Sequence, residues 1–86
     1  MEFVYDQYKS TANKIKHGIS FMESRAIWLD VDRVEIPARL QDEERFLVVG
    51  KIKDKHWSAI ITYRNEKIRI ISVRRSQKKE INIYES

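Results

Sequence analysis

The chain contains no cysteine. Neither a disulfide framework nor a thiolate metal site can hold it together, so its 86 residues must rely on one domain, 1–86, with one modest packed core. Glycine appears twice and proline once, which leaves few breaks in regular structure, and the ordinary apolar content argues against disorder. No apolar run is long enough to span a bilayer, and Met1-Glu2-Phe3-Val4-Tyr5-Asp6 lacks the basic start and apolar stretch of a signal peptide. A cytoplasmic protein is expected. The two histidines, His17 and His56, are far apart, and the acids are not spaced as a calcium loop. Neither a metal nor another cofactor is expected.

What is present is charge, unevenly spread. Residues 64–79 carry seven bases against one acid, whereas residues 30–44 carry six acids against two bases. A basic block of that kind suits a polyanionic partner, although a solvated strand and helix surface accounts for it equally well.

The apolar pattern divides the chain into helices followed by strands. Asp6 is placed to cap a first helix, on which Tyr8, Ala12 and Ile15 form an apolar stripe predicted to face the core. Lys9, Asn13 and His17 form the next row, with Lys16 beside it, and Gly18 ends the helix. Ser20 and Glu23 have the spacing of a capping box that starts a second helix, packed through Phe21, Met22, Ala26, Trp28 and Leu29. Val34 and Ile36 alternate with charged residues and stop at Pro37, which reads as a short edge strand before a polar loop. Residues 44–52, 57–64 and 67–75 read as longer strands joined by short turns around Asp54 and Asn65, hence an antiparallel meander. Ser76 is placed to cap a last helix reaching about Tyr84.

The prediction is an α+β fold: two N-terminal helices packed on a four-stranded antiparallel sheet, with a short C-terminal helix. Phe46, Val48, Ile52, Trp57, Ile61, Ile68 and Ile70 should contribute to the core. Simple alternation puts Ile68, Ile70, Ser72 and Arg74 on one face of their strand and Arg69, Ile71, Val73 and Arg75 on the other. Arg69 and Arg75 would then share a rim, while Arg74 turns with the following helix.

The order of residues adds a resemblance. Phe3, Tyr5-Asp6, Lys9, Asn13 and Lys16-His17-Gly18-Ile19-Ser20-Phe21, then Glu44-Arg45-Phe46 with Gly50, then Arg69-Ile70-Ile71-Ser72-Val73-Arg74-Arg75-Ser76 with Glu80 and Tyr84, resemble the pattern of BrnT toxins across nearly the whole chain. Where that family commonly has Trp-Asp-Pro, this chain has Tyr5-Asp6-Gln7; tyrosine keeps the aromatic role, and the missing proline loosens the pre-set first turn. The resemblance implies a RelE-like, metal-independent endoribonuclease that blocks translation as the toxin of a type II toxin–antitoxin pair. It also implies a hetero-oligomer with a BrnA-like antitoxin, whose ribbon-helix-helix part links the complex to operator DNA.

RNA cleavage without metal needs a proton removed from the 2′-hydroxyl, charge stabilised on the phosphate, and a proton delivered to the leaving 5′-oxygen. Histidine suits the proton steps and arginine the phosphate. The catalytic candidates are His17, Arg64, Arg74 and Tyr84; Lys9, Lys16, Arg69 and Arg75 are candidates for RNA contact. Each has a plainer reading. His17 also suits a helix C-terminus, Tyr84 also suits helix docking, and each arginine also suits a surface ion pair. Glu80 is expected to hold Arg74 or Arg75 in place, and His56, outside any motif, to be structural. A non-catalytic RNA- or DNA-binding module would use the same basic rim. So would an interaction protein that receives an acidic antitoxin segment.

Overall fold

The computed structural model describes residues 1–38 and 43–86. The polar loop expected after Pro37, with Arg39 and Asp42 of the acidic stretch, falls largely outside them. Strand β1 (Phe3–Val4) leads into helix α1 (Gln7–His17), a one-turn helix α2 (Phe21–Ser24) and a 3-10 segment (Arg25–Leu29). Strands β2 (Val34–Ala38), β3 (Arg45–Ile52), β4 (Lys55–Arg64) and β5 (Lys67–Arg75) follow, then helix α3 (Lys78–Glu85). The strands form one sheet in the order β1-β5-β4-β3-β2. The meander β2 to β5 is antiparallel as predicted, and Pro37 lies in edge strand β2, where a missing N–H costs least. β1 is an addition: two residues pair parallel with Ile68 and Arg69, too short a run to show a period.

The helix ends follow the sequence closely. The Asp6 carboxylate accepts from the N–H groups of Tyr8 and Lys9, Gly18 ends α1 at φ 82°, and Ser20 and Glu23 close a reciprocal capping box. α3 starts one residue later than expected, with Gln77 rather than Ser76 at its N-cap. The Glu80 carboxylate reaches back to the Gln77 N–H at 2.8 Å.

The buried side of α1 is the reverse of the one predicted. Tyr8 and Ile15 are 87% and 83% exposed, whereas Ser10 and Asn13 are buried. β1 covers β5 only at its start, so the backbone of Val73 is left on an open edge. Asn13 serves that edge: its amide donates to the Val73 carbonyl at 2.9 Å and accepts from the Val73 N–H at 3.3 Å, standing in for a missing strand. The same Nδ2 donates to the Ile19 carbonyl, and Ser10 accepts from the Phe21 N–H. An apolar residue in either place would orphan these groups. Likewise Ile27 and Phe21, not Met22 and Leu29, anchor the second helical segment. Ile27 lies against Gly50, where an added Cβ would come within 2.8 Å of its side chain.

Ile19, Phe21, Ile27, Val48, Ala59, Ile61, Ile68, Ile70 and Val73 form the core between these helices and the sheet, with Phe46, Ile52 and Trp57 partly buried against it. All seven predicted core residues are among them. No helix of the described residues is long and apolar enough to cross a membrane.

One irregularity reorders the functional side chains. Ile60 pairs with Ser72 but Ile61 pairs with Ile70, so Ile71 is an extra residue in β5. Such a bulge shifts the alternation by one. Residues directly opposite in a sheet share a face. Arg74, opposite Ser58, and Arg69, opposite Thr62, therefore share the face turned away from α1 and α2, together with Ser72. Arg75, opposite Trp57, lies on the helix-bearing face with Val73. The shared rim of Arg69 and Arg75 read from simple alternation is thus corrected.

Candidate nucleic-acid interface

The sheet face turned away from α1 and α2 has two charged ends separated by a half-exposed middle. By alternation, β4 turns His56, Ser58, Ile60, Thr62 and Arg64 to this face, and β3 turns Arg45, Leu47, Val49 and Lys51 to it. α3 covers only the His56 and Ser58 end. Leu47, Ile60 and Ser72 remain half-exposed between the ends.

At the covered end, Arg74 grips Glu80 with both arms, Nη1 to Oε1 at 2.9 Å and Nη2 to Oε2 at 2.7 Å. Glu80 is 4% exposed and also accepts from the Ser58 hydroxyl and the Gln77 N–H. The Arg74 hydrogen bonds, aided by Gln77 and Ser58, outweigh burial and pull its carboxyl down to about 2. Glu80 is an anion at any physiological pH, hydrogen-bonded through both oxygens and too weak a base to take a 2′-hydroxyl proton. Its supporting role toward Arg74 agrees with the geometry.

Tyr84 donates its hydroxyl to Asp30 Oδ2 at 2.6 Å, and that bond, with burial, pushes its pKa up to about 12. Burial opposes ionisation of Asp30, but hydrogen bonds from Tyr84 and from the Lys51 and Asp32 N–H groups prevail and hold its carboxyl below the usual range. The Tyr84 ring meets His56 edge-on at 5.1 Å, and His56 Nε2 lies 2.9 Å from Glu85 Oε2. Tyr84 thus docks α3 in this arrangement. His56, which sequence reasoning set aside, shares the Arg74 face and is paired with a carboxylate; only its placement in β4, invisible without the sheet register, could have marked it.

At the open end, Arg64 Nη2 bonds Glu43 Oε2 at 3.0 Å, and Arg45 Nη2 approaches Glu43 Oε1 at 3.8 Å. The Arg64 hydrogen bond, then the charges of Arg64, Arg45 and Arg69, hold the Glu43 carboxyl below the usual range despite its desolvation. Six residue steps along β4 separate Arg64 from Ser58, roughly 20 Å at strand rise. Arg64 and Arg74 therefore belong to opposite ends of one face rather than to one pocket. Arg45 and Glu43 were missed as site residues because Glu44-Arg45-Phe46 stood out only as a strand motif.

The remaining candidates lie elsewhere. His17 ends α1 on the helix-bearing side and is half-exposed. Lys9 and Lys16 are exposed on the same helix. The Arg75 guanidinium lies 5.5 Å over the Trp57 ring, and its Nε donates to the His56 carbonyl. The structure does not bring His17, Arg64, Arg74 and Tyr84 into one site. No group of three or more metal-ligating side chains occurs among the described residues.

A basic sheet face between a C-terminal helix and a hairpin is shared by more than one kind of protein, and a comparison with known families decides between them. The family described as the ribonuclease toxin, BrnT, of type II toxin–antitoxin systems matches residues 5–80. The chain belongs to the BrnT toxins. It is a ribonuclease toxin of a type II toxin–antitoxin system, with a fold consistent with the RelE-like architecture. No curated protein sequence matches it. The matched span of this BrnT chain contains α1, strands β2 to β5 with the bulge, and the Arg74–Glu80 pair, so both charged ends of the face lie within the shared region.

Proposed function

We propose that RNA lies across the sheet face turned away from α1 and α2, gripped through its phosphates by arginines, and is cut internally without a metal ion. The observation that carries this reading is the bulge at Ile71, which brings Arg69 and Arg74 together on the face that Arg45 and Arg64 also occupy. Planar guanidinium groups fit phosphate oxygens bidentately and stay charged at every relevant pH. The half-exposed Leu47 and Ile60 between them offer apolar surface to bases.

Cleavage follows from attack of the 2′-oxygen on the adjacent phosphorus as its proton is removed. The bond to the 5′-oxygen breaks, and that oxygen takes up a proton. Charge gathers on the phosphate as this happens, and fixed arginine donors stabilise it more than they stabilise the ground state. Glu80, at about 2, and Tyr84, at about 12, are both mismatched to proton transfer near neutrality. Of the two histidines, His56 shares the Arg74 face, which makes it the proton carrier to test beside His17.

Charge complementarity also supports a position for the partner. A BrnA-like antitoxin bearing a ribbon-helix-helix part would cover the basic face with an acidic segment, form a hetero-oligomer with the toxin, and carry the complex to operator DNA. Antitoxin and RNA would then compete. Action on cellular RNA would put the toxin in the cytoplasm.

The test is induced expression of the toxin with and without its antitoxin, with RNA 5′ ends mapped in each. New internal ends that appear with the toxin alone and vanish in folded His56→Ala support the reading. Ends that persist in His56→Ala and vanish in His17→Ala would move the chemistry to the far side of β5. Growth arrest with no new ends would leave an RNA-binding module.

A further inference from the structure

The open end of the face holds a carboxylate against arginines. The Thr62 hydroxyl is buried and donates to the Glu44 carbonyl at 2.8 Å, which clamps the chain entering β3 over the end of β4. That clamp sets Glu43 against Arg64, with one firm hydrogen bond, and near Arg45, with a looser approach, while Arg69, opposite Thr62 on the same face, acts on it through its charge. Among the described residues three cations answer this one carboxylate, which leaves the group an excess of positive charge. In addition, Arg45 Nε is buried with no hydrogen-bond partner among the described residues. A desolvated donor without an acceptor is costly, and charged donors more so.

We propose that Arg45, Arg64 and Arg69 form a phosphodiester-binding subsite, and that Glu43 is a stand-in ligand which an RNA phosphate displaces. The inference rests on the reading that RNA lies on this face. A phosphodiester matches a carboxylate in charge and in the spacing of two oxygens, so the exchange leaves no buried charge unpaired. The Glu43 side chain is about as exposed as that of Arg45 and less exposed than that of Arg64, and ion pairs at such exposure hold weakly. Its departure is therefore easy, whereas Glu80, nearly fully buried and bidentate, stays. Binding an RNA strand at the Arg74 end alone would leave this carboxylate repelling the phosphates farther along the strand. Displacing it lets the strand engage both ends, so Glu43 weakens capture of short or misplaced anions that reach only one end.

The experiment measures affinity for a short 2′-O-methyl oligoribonucleotide, which cannot be cleaved, using the full chain. Glu43→Gln and Glu44→Gln change the net charge equally and sit one residue apart. Glu43→Gln should tighten binding about fivefold, the equivalent of one exposed ion pair released, while Glu44→Gln changes it by less than about twofold through screened long-range charge. Adding Arg64→Gln to Glu43→Gln should remove the gain, and the Arg45 Nε–H resonance should move when the oligonucleotide is added. Equal tightening in the two glutamine variants, or an unmoved Arg45 signal, would overturn the subsite. Binding that falls with Arg69→Gln and Arg74→Gln yet ignores Glu43, Arg45 and Arg64 overturns it as well, while leaving the RNA face intact. Binding indifferent to every arginine of the face would overturn both.

Discussion

The two ends of one sheet face solve the same pairing in opposite ways. At the α3 end, Arg74 and Glu80 form a bidentate pair, and the carboxylate also takes donors from Ser58 and Gln77. At the hairpin end, Glu43 meets one arginine at 3.0 Å and a second at 3.8 Å, with solvent alongside. The comparison shows that an arginine beside a carboxylate has no fixed meaning. When the carboxylate is buried and saturated it locks a helix to a sheet; when it is exposed and loosely held, it leaves the arginines available to another anion.

The largest effect should come from breaking the lock. Glu80→Ala leaves the half-buried Arg74 without its partner and should destabilise the fold by about 3–5 kcal/mol, as removal of one member of a buried pair does. Glu43→Ala should leave the urea midpoint essentially where it was. Similar shifts for the two would erase the distinction between the ends.

Acid sharpens the same contrast. Glu80 has a folded-state pKa depressed from 4.5 to about 2, so its contribution is fully present above about pH 4.5 and is lost as pH falls through 2. That contribution is on the order of 3 kcal/mol at neutral pH. Urea midpoints between pH 7 and pH 2 should fall with this slope in the wild type and flatten in Glu80→Gln. An unchanged slope in the variant would place the acid sensitivity elsewhere.

The smallest effect concerns Arg75 on the helix-bearing face. Removing it in Arg75→Ala gives up a cation–π contact with Trp57, typically about 0.5–1 kcal/mol at an exposed site. Stability should drop by that little, as read from thermal unfolding, and a larger drop would mean that its bond to the His56 carbonyl also holds the β4–β5 pairing.

Most of the fold was legible because its signals are local. Asp6, Gly18, and Ser20 with Glu23 mark helix ends through hydrogen bonds made within a few residues, and the strands from β3 to β5 declare themselves by branched side chains. What was not legible depends on partners distant in sequence. Asn13 faces inward because Val73, sixty residues away, has an open edge. The bulge at Ile71 has no glycine or proline to announce it, and missing it put Arg69 on the wrong face. The site suffered more than the fold for that reason. Residue types were readable, but the grouping of Arg45, Arg64 and Arg69 around Glu43, and of His56 with Arg74, needs the sheet register.

The central claim is that the face holding Arg69, and not the one holding Arg75, meets the scissile RNA. Single-turnover cleavage by folded Arg69→Ala and Arg75→Ala, compared at the same sub-saturating enzyme concentration so that RNA capture counts, tests it most directly. Arg69→Ala should slow cleavage by about 10-fold, the scale of losing one charge-assisted phosphate contact, while Arg75→Ala stays within about threefold of wild type, as expected of a residue outside the site. Equal losses, or a loss confined to Arg75→Ala, would contradict the account.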